Sequence, residues 1–212
     1  MWGMFLFDAV LGALLVAGWY FAWREVNRLR AANVLRCIEQ AVAGKALVSA
    51  PRWRRASHFE VELRFASAFH DSWLSVELLP REMPLHWFLA RLRKQPEQVT
   101  FRAELEHRPA NNLIIANQKW YGRTSAAAAI PEQCYSLGAL VITTREDWQT
   151  DTVTVERILA ARSCDLIQVE FRKTSPQLLV TAPLASVVQS QAEQGLFGLL
   201  QELATCVTAR KE

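Results

Sequence analysis

Residues Trp2 to Trp23 form a nearly unbroken apolar run, and no feature constrains the rest of the chain more. As a helix rising 1.5 Å per residue it would extend about 33 Å, against about 30 Å for the hydrocarbon core of a bilayer. Val10 to Gly18 is free of charge, and Asp8 alone interrupts the run near its outer end. Trp2 stands at one edge and Trp19, Tyr20 and Trp23 at the other, where membrane proteins carry their interfacial aromatic belts. The pattern predicts a transmembrane anchor. A secretory signal peptide would need a basic stretch ahead of the run and small residues at a cleavage site. Here no Lys or Arg precedes it, and Trp19, Tyr20, Phe21 and Trp23 occupy the place of cleavage. A buried core helix would carry polar residues on its outer face, which this run lacks.

Charge sets the expected orientation. Residues 24–55 hold eight basic side chains (Arg24, Arg28, Arg30, Arg36, Lys45, Arg52, Arg54, Arg55) against Glu25 and Glu39, a net +6 in a chain whose total is +3. Excess positive charge beside a span marks its cytoplasmic flank. The expectation is an N-terminus outside and the 189 residues after Trp23 in the cytoplasm of a single-pass protein. So local a basic excess suits anionic lipid headgroups better than nucleic acid, which is not an expected partner. Cys37, Cys134, Cys164 and Cys206 are scattered, as small apolar side chains in a reducing compartment would be.

Beyond the anchor the helix is expected to continue. Val26, Leu29, Val34, Leu35, Ile38, Ala41 and Val42 recur at helical spacing, and Gly44 is placed to end the helix in the left-handed conformation. The chain divides into an anchor at 2–23, a juxtamembrane amphipathic helix at 24–44 and a cytoplasmic domain at 45–212. His58–Phe65 and Val99–Glu106 alternate cleanly. Trp73–Leu79 is expected to pair with the first of these across a turn at Ala68–Asp71. Asn112–Asn117, Leu137–Thr143, Ile167–Arg172 and Gln177–Ala182 read as further strands. Gly122–Gln133, with its run of four alanines, reads as a loop between strands. Three helices fall among the strands: one from Pro84 to Lys94, one from Thr150–Asp151 to Arg162, and one from Ser190 to Ala209. The fold class is α+β, a mixed or antiparallel sheet with one face wet and about three packed helices. Helix-then-hairpin order at Asn33–Pro80 and Asp151–Pro183 suggests a weak internal repeat.

Chemistry is sparse. No zinc-protease, phosphate-loop, dinucleotide or nucleophile-elbow motif is present, so no catalytic residue, cofactor or metal is expected. His70-Asp71-Ser72 holds triad residue types, but sequence neighbours do not converge on one atom, and a polar turn is the expectation. Glu60 and Glu62 belong to the wet face of a strand beside Arg64. More informative are Arg52-Trp53-Arg54-Arg55, and Trp87 with Arg91, Arg93 and Lys94. A Trp ring among cations suits a membrane surface or a partner contact. Ala9, Gly12, Ala13 and Ala17 make one face of the anchor small enough for close helix packing, in a homodimer or against another membrane protein. The expected function is therefore a non-enzymatic binding or scaffold module at the cytoplasmic face, contacting a membrane protein or anionic lipid. An enzyme acting on a membrane-associated substrate is the alternative.

Overall fold

The computed structural model describes residues 2–66, 69–109, 112–120, 133–137, 140–144, 157–158, 165–189 and 196–208. Helix α1 (Trp2–Val42) runs 41 residues, about 60 Å at helical rise. Among the described residues it is the one helix long and apolar enough to cross a membrane, and none of its most apolar window is buried. The second half behaves differently. Asn27, Ala31, Val34, Ile38 and Val42 are buried at spacings of three and four, a single stripe down one face. Gly44, with φ of 77°, then stops the helix, since a side chain there would strain the backbone.

The domain is α+β. Its strands are β1 (Ala46–Val48), β2 (Arg52–Arg55), β3 (His58–Phe65), β4 (Phe69–Glu77), β5 (Gln98–Leu105), β6 (Leu113–Asn117), β7 (Gln133–Leu137), β8 (Leu140–Thr144), β9 (Gln168–Phe171) and β10 (Leu178–Pro183). They form one sheet in the order β1-β3-β4-β5-β10-β9-β6-β8-β7, with β2 sharing the outer edge of β3 with β1. Among the described residues every pairing is antiparallel. Helix α2 (Pro84–Leu92) joins β4 to β5, α3 (Leu184–Gln189) follows β10 and α4 (Leu196–Thr208) comes last.

Register explains why the sheet buries one face over β3 to β5. Directly paired residues share a face, and the pairings Val61, Leu74, Phe101, Val180, Val169 and Ile115 run as one apolar row across six strands. The stripe of α1 joins the described residues of this row in one core with Phe59, Leu63, Phe171, Leu178 and the buried side of α4. The neighbouring row on the opposite face reads Glu62, Trp73, Arg102, Leu179, Glu170. That face is polar over β3 to β5.

Several expectations need correction. β4 begins at Phe69 instead of Trp73, because an extra residue between Phe69 and Ser72 bulges the strand and lets His70 and Asp71 both face solvent. His70-Asp71-Ser72 therefore lies inside a strand, not in a turn. Leu137–Thr143 is the junction of β7 and β8 and not one strand. β1, β2 and α3 were not expected at all. On α1, Val26 and Leu29 are exposed and the buried stripe starts at Asn27. The expected loop at Gly122–Gln133 lies outside the described residues except for Gln133, which opens β7. The helix expected to start at Thr150–Asp151 also lies outside them, apart from Arg157 and Ile158, which are helical. The second copy of the suggested repeat, Asp151–Pro183, opens with that helix and so lies partly outside the described residues.

Phe101 lies at the centre of the apolar row, fully buried, with Phe65 and Phe69 edge-on to its ring. Phe101→Ala should cost about 3–5 kcal/mol. Arg64→Ala, at a side chain that stands in solvent beside Glu62, should leave the transition unchanged. Urea unfolding in detergent micelles, followed by tryptophan fluorescence, measures both.

Candidate functional site

The residues that command attention gather at one end of the sheet, where the exposed apolar half of α1 departs from the domain. Trp19, inside the apolar run, donates its indole N–H to the carbonyl of Arg81 at 2.9 Å. Its ring packs at 5.6 Å from Trp23 and 6.2 Å from Trp87 of α2. Two turns further along α1, buried Asn27 donates through Nδ2 to the carboxylate of Glu82 and to the carbonyl of Leu79. Glu82, itself buried, also accepts the Ser57 hydroxyl at 2.8 Å. Arg30 and Arg81 then converge on Glu97, at 2.7 Å and 3.2 Å. The loop 79–83 is thereby held on α1 by an aromatic stack, a buried polar triad and a shared carboxylate. Among the described residues the Asn27 Oδ1 has no partner.

This clamp positions α2. Pro84 opens the helix at its first turn, where a missing N–H costs nothing, and Arg91 sits in its last turn beside the exposed carbonyls. Ala90 is its buried residue and Trp87 is half-buried against Trp19. Leu85, Phe88, Leu89 and Leu92 recur at the spacing of one helix face, and that face points outward. The guanidinium of Arg91 stacks 5.6 Å over Trp87. Arg93 caps the helix and Lys94 turns the chain with φ of 49°.

The other basic–aromatic segment is strand β2, exposed along its whole length. Trp53 packs on Phe59 at 5.2 Å, Arg54 pairs with Glu60 at 3.1 Å, and the Arg52 guanidinium lies 5.2 Å from the ring of Trp73. Arg55 leads into the turn at Ser57, which touches Glu82, so β2 and α2 approach the same end of the sheet. The polar sheet face beside β2 carries an open groove of about 430 Å³, flanked by Arg52, Arg54, Asp71, Trp73, Arg102 and Glu104. A second cavity of about 670 Å³ lies by the C-terminal end of α2, between Leu79, Pro80, Arg93, Trp120 and Ile167. Within the described residues no three His, Cys, Asp or Glu side chains gather as a metal site requires.

Sequence reasoning singled out Arg52, Trp53, Arg54, Arg55, Trp87, Arg91, Arg93 and Lys94, and all stand on the two segments just described. Ala9, Gly12, Ala13 and Ala17 are exposed on α1, and a side chain added at Gly12 would meet nothing within 4 Å. Missed were Trp19 as a contact to the domain, Asn27, Glu82, Glu97, Trp73 and Arg102. Asn27 carried a signal: a polar residue in register with Ala31, Val34 and Ile38 asks for a buried partner. No protein-family model and no curated protein matches the chain.

The clamp can be dissected. Glu82→Ala strands the buried Ser57 hydroxyl and leaves the Asn27 amide with the Leu79 carbonyl alone, a loss of about 1–3 kcal/mol for each polar group deprived of the carboxylate. Trp19→Phe keeps most of the ring packing and removes one hydrogen bond, about 1 kcal/mol. Denaturation midpoints of the two variants should rank in that order, and equal midpoints would mean that the triad is not buried.

Proposed function

We propose that the chain is a single-pass membrane protein whose apolar run is a retained anchor, with its N-terminus outside and its domain at the cytoplasmic face. There it serves as a non-enzymatic binding module for a membrane protein partner. The observation that carries this reading is the Trp19 contact. A residue inside the apolar run is hydrogen-bonded to the domain, and the same helix supplies the core stripe from Asn27 to Val42. Cleavage of the run as a signal sequence would cut an unbroken helix and remove part of the clamp. The arrangement is that of an anchor built into its domain.

Orientation rests on the net +6 of residues 24–55, which the positive-inside rule assigns to the cytoplasm. Partner binding rests on the groove. It presents Arg102 without an ion-pair partner among the described residues, beside Trp73 stacked under Arg52. Of its carboxylates, Glu60 is paired with Arg54, Glu104 accepts the Ser175 hydroxyl, and Asp71 stands exposed at the rim, so the groove carries both signs of charge for a polar partner. Arg and Trp are the side chains most often found at interface hot spots. The small face of Ala9, Gly12, Ala13 and Ala17 offers a lateral contact within the bilayer, for a second copy or another membrane helix.

A reporter fused after Glu212 should behave as cytoplasmic, and sequencing of the mature protein should find the apolar run still attached. A mature chain starting beyond Trp23 would reject the anchor, and an exported reporter would reject the orientation. Crosslinking in native membranes tests the partner surfaces. Arg102→Glu should weaken an adduct made through the groove, and Ala13→Ile one made through the helix face. Yields equal to the parent chain in both variants would exclude these two surfaces.

A further inference from the structure

We infer that α2 lies in the plane of the membrane interface, so that the domain grips an anionic bilayer surface at a second point beside its anchor. The inference rests on the anchor reading above. An amphipathic helix in a water-soluble domain turns its apolar stripe to the core. α2 does the reverse. Leu85 is 71% exposed, Phe88 53%, Leu89 40% and Leu92 63%, and Met83 just before the helix is 48% exposed. Leu85, Phe88, Leu89 and Leu92 occupy positions i, i+3, i+4 and i+7, so their exposed atoms form one continuous ridge. Water is a poor solvent for such a ridge, and a patch of this kind marks a contact.

Two observations name the occupant as lipid. The first is continuity. Trp87, on the inner side of α2, packs against Trp19, so the ridge adjoins the apolar half of α1 at the level of its second aromatic belt. From Trp2 to Trp19 the helix rises about 26 Å, close to the thickness of a bilayer core, which puts Trp19 and its neighbour at headgroup depth. A bilayer around α1 reaches α2 without any further partner. The second is charge. Arg91 and Arg93 flank the ridge, and Arg55 and Trp53 stand at the same end of the sheet, all exposed. A ridge of Leu and Phe bordered by Arg is the composition of a helix that lies in an anionic interface.

The test uses the full-length protein in vesicles of phosphatidylcholine and phosphatidylglycerol with an alkyne-tagged acyl chain. The photoreactive residue p-benzoylphenylalanine replaces Phe88, Leu14 or Leu47 in turn. Leu14 reports the anchor, and Leu47 (exposed on β1, beyond the other end of α1) reports the aqueous side. Position 88 should take up tagged lipid at a yield comparable to position 14 and many-fold above position 47. Its yield should fall when phosphatidylglycerol is omitted, while that at 14 holds. Capture at 14 with only background at 88, or capture of a second protein copy at 88 in place of lipid, overturns the inference and leaves the anchor intact. Background at 14 overturns the anchor and this inference with it.

Discussion

Burial of the Asn27–Ala31–Val34–Ile38–Val42 stripe against the sheet is the contact on which the rest of the structure depends. It makes α1 part of the core, and the helical hydrogen-bond ladder carries that rigidity outward past Arg24 and Trp23. In proteins most of a helix's stability comes from the face it packs against its neighbours. Here the second half buries a face against protein and the first half buries none, exposing Phe5, Leu6, Phe7, Leu14 and Leu15 to the surroundings. One helix thus has a half packed on protein and a half that is apolar yet exposed. That division gives the proposed anchor a fixed angle to its domain, where a tether would leave the angle free.

The polar groups at the junction follow from the same division. Where α1 leaves the sheet, Asn27 is the last buried residue, and a backbone loop has to be held against a helix with no further apolar stripe. Glu82 and Glu97 do this, each with partners from both α1 and the domain. Hydrogen bonds to a carboxylate are stronger than neutral ones and directional, so they fix a position that apolar contact alone would leave loose. Trp19 and Trp87 then close the junction on the side of the apolar run. The exposed ridge of α2 is a consequence: once Trp87 and Ala90 take the inner side, Leu85, Phe88 and Leu92 have nowhere in the domain to go.

How far the sequence discloses this varies by element, for physical reasons. The faces of β3 and β5 are legible because Phe59, Val61, Leu63, Val99 and Phe101 alternate with polar residues, and alternation reports a half-buried strand directly. β2 is not legible: Arg-Trp-Arg-Arg is exposed throughout and is a strand only because β3 offers it a hydrogen-bonding edge. The bulge in β4 hides its start, since one extra residue reverses the phase of the pattern. α2 is readable as amphipathic from Pro84 to Leu92, but the direction its stripe faces depends on Trp19, which is 68 residues away from Trp87 in the chain. Asn27 is a similar case, since its partner Glu82 is 55 residues distant. Local pattern reveals what a segment buries, and long-range partners decide against what.

Hydrogen exchange of the full-length protein in lipid nanodiscs, resolved across residues 16–34, tests the central claim most directly. If α1 is one rigid helix clamped to its domain, the amides from Trp19 through Asn27 to Val34 are protected without a gap. A fast-exchanging break between Trp23 and Asn27, with protection on both sides of it, would contradict the account and make the apolar run a hinged tether.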